Sequence, residues 1–367
     1  MNKPLTLFQL RFFLVVFCLF IFCQCSSDST DPVEPDRMEV DSPGDTAGED
    51  DEDTGNEGTG DEDSDDGSSD EDMDSGNTDG TFGLDPDAEP WENFDLSDWV
   101  IDTPAFDAQD GLAERYGELD WEALATSASR PFFFTHTDGG MRFVSTVGGA
   151  KTSQNTSFSR SELREMLRRG DRSISTQGAN GNNWALGYQP TGTNHGGRNG
   201  VLSATLRVNQ VTTTGNGLHP GRTIIGQIHA DNDEPARLYY RKLPGADFGC
   251  VYVEHEIRDG DDVTFNLIGD ERCSGNGPSE GIQLDELFSY EIINEDEDII
   301  VRIRRGDMDG PIIAETTIDM ITENSGYDRS DEWMYFKAGA YTQNNTGDSD
   351  DSDIVTFYRL SNTHDPN

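Results

Sequence analysis

The sequence predicts an all-β domain built as an antiparallel sandwich and preceded by an acidic segment with no fold of its own. Two observations carry that prediction. From Phe94 onward, short runs rich in β-branched and aromatic residues recur between Gly, Asn, Asp and Pro turns. They are VLSATLRVNQV (201–211), RTIIGQIHA (222–230), ARLYYRKL (236–243), CVYVEHEI (250–257), DVTFNLIG (262–269), FSYEI (288–292), DIIVRIRR (298–305), WMYFKAGAYTQ (333–343) and IVTFYRL (354–360). Polarity in them alternates with a period of two, so that Leu202, Ala204, Leu206 and Val208 share one face. Helical periodicity is rare, and residues 110–125 are the main expected helix. Many strands with few helices point to a sandwich.

The elements follow in chain order. Residues 1–25 hold two bases, Lys3 and Arg11, and no acid. The apolar run FFLVVFCLFIF (12–22) is too short for a bilayer, which takes about 20 residues, and reads as the core of a signal peptide. Cys23-Gln24-Cys25-Ser26 follows, and a cysteine at this junction resembles the lipidation site of a bacterial lipoprotein. Cys25 is the expected acceptor, with Cys23 as the alternative. The expected mature chain is exported, anchored to the outer membrane facing the periplasm or cell surface, or secreted.

Residues 26–92 carry 27 acids and one base, Arg37. Such a segment has almost nothing to bury against chain entropy and is expected to be a disordered, self-repelling tether. It lacks the EF-hand spacing that would make it a calcium site. Residues 93–367 form one large domain with a net charge of −22, within a total of −46. That balance argues against nucleic acid, whose phosphates need clustered Lys and Arg. A single apolar run excludes a polytopic membrane protein. A monomer is expected.

The domain holds two cysteines, Cys250 and Cys273. In an exported chain they are expected to form a disulfide worth roughly 3 kcal/mol in the chain-entropy model; two separate buried thiols are the alternative. No CxxC or HxxxH spacing offers a metal site, so no metal is expected.

Three segments carry chemistry. In SRSELRE (159–165), read as a strand, Arg160, Glu162 and Arg164 share a face, and a carboxylate between two guanidinium groups makes a rigid anion site. As a helix the same residues would form solvated Glu–Arg pairs. In QIH (227–229), Gln227 and His229 share a face while Ile228 enters the core. In YFKAGAYTQ (335–343), Lys337, Gly339 and Tyr341 face away from Phe336, Ala338 and Ala340, and Gly339 leaves a gap between cation and phenol where a ligand can approach the backbone.

Together and in this order, the segments resemble the three signature motifs of the alginate lyases of polysaccharide lyase family 7: R-[ST]-E-L-R, Q-[IV]-H and Y-F-K-A-G-x-Y-x-Q. The likeness extends to flanking text such as RLYYRKLPG and LDELFSYEI and spans residues 93–367. It implies a concanavalin-like β-jelly roll whose concave sheet forms an open groove, and it overrules the helical reading of 160–169. It also implies cleavage of a 4-linked polyuronate by β-elimination.

That reaction removes the hydrogen at C5 of a uronate and expels the oxygen at C4. The enzyme must neutralise the carboxylate, supply a base and protonate the leaving oxygen. The resemblance assigns Arg160, Gln227, His229 and Tyr341 as catalytic residues. Arg160 binds the carboxylate, Gln227 donates its amide to it, His229 holds it or acts as base, and Tyr341 gives its proton to the leaving oxygen. For mannuronate Tyr341 serves as both base and acid; for guluronate His229 is the better base. Lys337 and Arg164 are expected substrate clamps, Lys337 also tuning the Tyr341 phenol, and Glu162 orients the arginines. No cofactor is needed, because Arg and Gln neutralise the charge.

His136, His195, His219, His255 and His364 match no motif and are read as structural. His195, in the loop GTNHGGRNG, is the one a groove would bring to substrate, with Arg198 and Arg222 beside it as weaker candidates. Three rival functions remain at this stage: a non-catalytic surface module that binds polyuronate, a glycoside hydrolase using Glu254 and Glu256, and a lyase for another polyuronate such as glucuronan. A polyanion should be repelled by a domain of charge −22, so the groove is expected to be locally basic at Arg160, Arg164 and Lys337.

Overall fold

The computed structural model describes residues 82–168, 171–190 and 195–365. The expected signal peptide, the lipidation of Cys25 and residues 26–81 of the expected tether lie outside the described residues.

Two antiparallel sheets make a sandwich of jelly-roll type. In order across the sheet, the first contains β10 (Asp262–Ile268), β9 (Cys250–Glu256), β8 (Ala236–Arg241), β7 (Arg222–His229), β14 (Tyr335–Thr342), β5 (Arg160–Glu165), β1 (Trp99–Phe106) and β2 (Ala113–Gly117). The second contains β13 (Ile312–Asp319), β12 (Asp298–Arg305), β11 (Phe288–Glu295), β6 (Arg198–Gln210), β15 (Ser352–Asp365), β4 (Met141–Thr146) and β3 (Phe133–Thr135). Ile101, Leu163, Ile228 and Phe336 of the first sheet meet Phe143, Leu206, Tyr290 and Phe357 of the second in one apolar core. Each such side chain stabilises by about 1.5–3 kcal/mol through burial.

The burial patterns separate the two sheets. In the second, β4 and β12 alternate between buried and half-buried positions, as expected for one solvated face. In the first, β5, β7 and β14 are buried at every position, although they carry Arg, Glu, Gln, His and Lys. Charged side chains packed on the second face of a strand mark the place where the fold spends stability on a site.

Two expectations are corrected. Residues 110–125 do not form a helix: residues 113–117 are β2, and only Trp121–Leu124 (α2) is helical. Pairing with β1 wins, reinforced by Arg115 Nε to Asp102 Oδ1 at 2.6 Å, and Asp120 then caps the turn by accepting the Gly117 N–H at 2.6 Å. Residues 82–92, assigned by composition to the tether, pack on the domain. Phe82 stacks on Tyr358 at 5.0 Å, Trp91 on Trp121 at 5.9 Å, and Pro90–Asn93 forms a single helical turn, α1. These few aromatic residues supply the burial that the acidic remainder lacks. Cys250 and Cys273 form the expected disulfide across 23 residues, tying β9 to the loop after β10.

Glu165, the last residue of β5, fastens the sheets together. Its Oε2 accepts from Trp184 Nε1 and the Phe336 N–H, both at 3.0 Å; its Oε1 accepts from Asn362 at 2.5 Å and meets His364 Nε2 at 2.6 Å. Burial works against the His364 imidazolium, but Glu165 outweighs it and the pKa is raised. Asp353 on β15 is fully buried, and desolvation raises its pKa to about 7 against a hydrogen bond from the Thr212 N–H. The folded chain therefore holds the Asp353 proton more tightly than the unfolded chain. Stability drains away as pH rises from about 4 through 7, by at most on the order of 4 kcal/mol. His364 acts in the same direction, its contribution being present below the usual histidine pKa and lost as pH rises through its raised one. Asp353→Asn is expected to raise the urea unfolding free energy at pH 8, with the gain shrinking towards pH 5; an equal effect at both would refute the assignment.

Candidate active site

β14 lies between β7 and β5, so the three motifs become neighbours. The β5 register sets Arg164 opposite Lys337, Glu162 opposite Gly339 and Arg160 opposite Tyr341. On the other side, Lys337 faces Gln227 and Tyr335 faces His229. Directly paired residues share a face, so all seven predicted site side chains project from the same surface. Gly339 is required here. A Cβ at this position would lie 2.5 Å from the Ser161 carbonyl and 2.8 Å from the Glu162 Cα.

Glu162 is the hub. Its Oε2 lies 3.2 Å from Arg160 Nη1 and 3.4 Å from Lys337 Nζ, and its Oε1 accepts from Gln227 Nε2 at 2.5 Å. Residues as far apart as Arg160 and Gln227 thus converge on one carboxylate, although β14 separates their strands. Because that carboxylate only accepts, the Gln227 amide is oriented, and its carbonyl oxygen is buried without a hydrogen-bond partner among the described residues. Glu162 is 1% exposed, and a carboxylate so buried needs these partners.

Tyr341 packs with Ile224, Tyr239 and Tyr252, and Phe158 meets its ring edge-on at 6.4 Å. The Arg160 guanidinium carbon sits 3.7 Å from the Tyr341 ring centroid. The cation resting on the phenol is therefore Arg160. Lys337, expected in that place, is turned to Glu162. His229 stacks on Tyr335 at 4.9 Å. Its Nδ1 lies 2.7 Å from the Ala230 carbonyl and 3.0 Å from the Tyr335 hydroxyl, while Nε2 lies 3.2 Å from Glu234 Oε1.

The expected basic face is present and wider than expected. The register places Arg237 beside Gln227 and Arg241 beside Arg222, extending the cations of Arg160, Arg164 and Lys337 across β7 and β8. Arg222 thus joins the face, stacked 5.4 Å from the Tyr239 ring centroid. Arg198 does not: its Nη2 is spent on the Gly187 carbonyl at 2.6 Å and on that of Gln189. His195 is buried against the Glu332 carbonyl at 2.9 Å, which makes it a loop anchor, and burial lowers its pKa. Glu254 lies 3.4 Å from Arg237, on β9 at a distance from the motif strands, and Glu256 is bound up with Glu234; neither flanks the Tyr341 site.

Sequence reasoning gave no role to two residues of this site, Glu234 and Tyr335, both of which hold His229. Glu234 lies in an acidic turn with no motif, and its proximity arises only because the β7–β8 connection folds back. Among the described residues, no cluster of three or more His, Cys, Asp or Glu side chains is arranged to hold a metal.

A family model described as alginate lyase matches residues 94–364. The chain is 45% identical over 287 residues to an alginate lyase of Klebsiella pneumoniae, covering 75% of this chain and 91% of that protein. The crystal structure of the alginate lyase from Klebsiella pneumoniae matches with a TM-score of 0.68 and 44% identity, over 76% of this chain and 99% of that one. The family 7 alginate lyase A1-II′, solved with its product GGG, matches at 26% identity and a TM-score of 0.53, over 76% and 99% of the two chains.

Proposed function

The chain belongs to the alginate lyases of polysaccharide lyase family 7 and cleaves alginate by β-elimination, and we propose that the shared face of β5, β14 and β7 divides that chemistry as follows. The observation that carries the proposal is the convergence of Arg160, Gln227 and Lys337 on Glu162, with Arg160 also lying on the Tyr341 ring.

Arg160 and Gln227 take the uronate carboxylate. Glu162 holds both in place beforehand, so their ordering is not paid for at the moment of reaction. As charge moves from C5 into the carboxylate, the guanidinium and amide strengthen their hydrogen bonds to it. The unpartnered Gln227 carbonyl accepts a sugar hydroxyl. Tyr341 protonates the bridging oxygen as the C4–O bond breaks and the C4–C5 double bond forms. In mannuronate the hydrogen and the leaving oxygen lie on one side, and Tyr341 performs both transfers. In guluronate they lie on opposite sides, and His229 takes the C5 hydrogen. Lys337 and Arg164 bind carboxylates of adjoining sugars.

The test is incubation with alginate in ¹⁸O-labelled water. Elimination gives an ultraviolet-absorbing unsaturated end and leaves the label in the water. A product carrying ¹⁸O at its new reducing end, without the absorbance, would mean hydrolysis and would overturn the reading.

A further inference from the structure

We infer that the hollow between the β1–β2 hairpin and the β4–β5 loop is a distal subsite, taking one uronate ring of the alginate chain beyond the point of cleavage. The inference rests on the function proposed above. The hollow has a volume of about 400 Å³ and is lined by Phe106, Leu112, Ala150, Lys151, Gln154 and Thr156, among others. Its chemistry suits an anionic pyranose: an aromatic face for the ring C–H groups, an amide and a hydroxyl for sugar oxygens, and a cation for the carboxylate.

Two side chains are unlike their surroundings. Phe106 is 60% exposed on a strand that is otherwise buried throughout. Lys151 makes no side-chain hydrogen bond or ion pair among the described residues, in a domain where acids outnumber bases. The acids of the β1–β2 turn are committed locally. Asp107 accepts the Gln109 N–H at 2.6 Å and Asp110 the Leu112 N–H at 2.8 Å, each within its own turn. At the catalytic face, by contrast, Arg160 and Lys337 are already paired with Glu162.

The hollow continues the site. Its rim residue Thr156 is two residues before Phe158, and β5 begins at Arg160 directly after them. Phe158 is the residue whose ring meets Tyr341. A polyuronate bound at Tyr341 and lying across the strands reaches the hollow within a few rings.

The test compares alginate oligomers of increasing length, from trimer upward, on the full chain and on Lys151→Gln and Phe106→Ala. In the unaltered enzyme kcat/KM should step up at the length that fills the hollow. In Lys151→Gln that step should shrink about ten-fold, the size of one charge-assisted contact, and in Phe106→Ala it should shrink as well, with the loss in both confined to oligomers long enough to reach the hollow. Lys151→Glu should lose more, and added salt should narrow its deficit. Unchanged kcat/KM at every length, or an equal loss at every length, would overturn the subsite. An unaltered enzyme that makes no unsaturated product from any oligomer would instead overturn the function itself.

Discussion

Tyr341→Phe is expected to lower kcat on alginate by roughly 10²–10⁴-fold, the usual range for a lost general acid or base, with little change in KM. The substitution removes one oxygen and keeps the ring. Packing against Ile224, Tyr239, Tyr252 and Phe158 survives, as does the guanidinium of Arg160 over the ring face. The variant should therefore fold and bind as before. Steady-state rates from the ultraviolet absorbance of the unsaturated product, with unfolding curves on the same samples, check both halves. Turnover near that of the unaltered enzyme would remove Tyr341 from the chemistry.

Glu162→Gln is expected to act on activity and stability together. The carboxylate is buried and takes two cations and an amide. With a neutral amide in its place, Arg160 and Lys337 lose their counter-charge while remaining buried. Breaking one side of a buried pair costs on the order of 3–5 kcal/mol. Arg160 and Gln227 also lose their common anchor, and misplacement of that kind costs roughly 10²-fold in kcat/KM. Urea unfolding measures the first effect and initial rates the second. A variant as stable and active as the parent would show that Glu162 organises nothing. Loss of stability with full activity would make it a purely structural residue.

The strands and the three motifs were legible because each motif obeys the period-two rule on its own. Arg160, Glu162 and Arg164 alternate with Ser161, Leu163 and Glu165, and Lys337, Gly339 and Tyr341 with apolar neighbours. What alternation does not contain is which strand pairs with which. The place of β14 between β5 and β7 makes Glu162 the meeting point, and that is a property of sheet order. The same limit hid Glu234, brought to His229 by a connection with no periodic pattern. It also hid the role of Glu165, which faces the core and acts through residues about 200 positions later. Residues 113–117 read as helix because local propensity was all the sequence displayed; the Asp102–Arg115 pair that holds them as a strand is a tertiary contact. Composition assigned residues 82–92 to the tether because a window of acids outweighs Phe82 and Trp91, whose partners, Tyr358 and Trp121, lie elsewhere in the chain. Charge misleads in the same way, since a net of −22 coexists with a basic strand face.

The central claim is that one uronate carboxylate sits on Arg160 and Gln227 while the bond to be broken lies at Tyr341. A crystal structure of the Tyr341→Phe variant soaked with an alginate tetramer tests it most directly. The account predicts a carboxylate within about 3 Å of both the Arg160 guanidinium and the Gln227 amide, with the bridging C4 oxygen facing residue 341. A tetramer whose carboxylates are held elsewhere, with no bridging oxygen near residue 341, would contradict it.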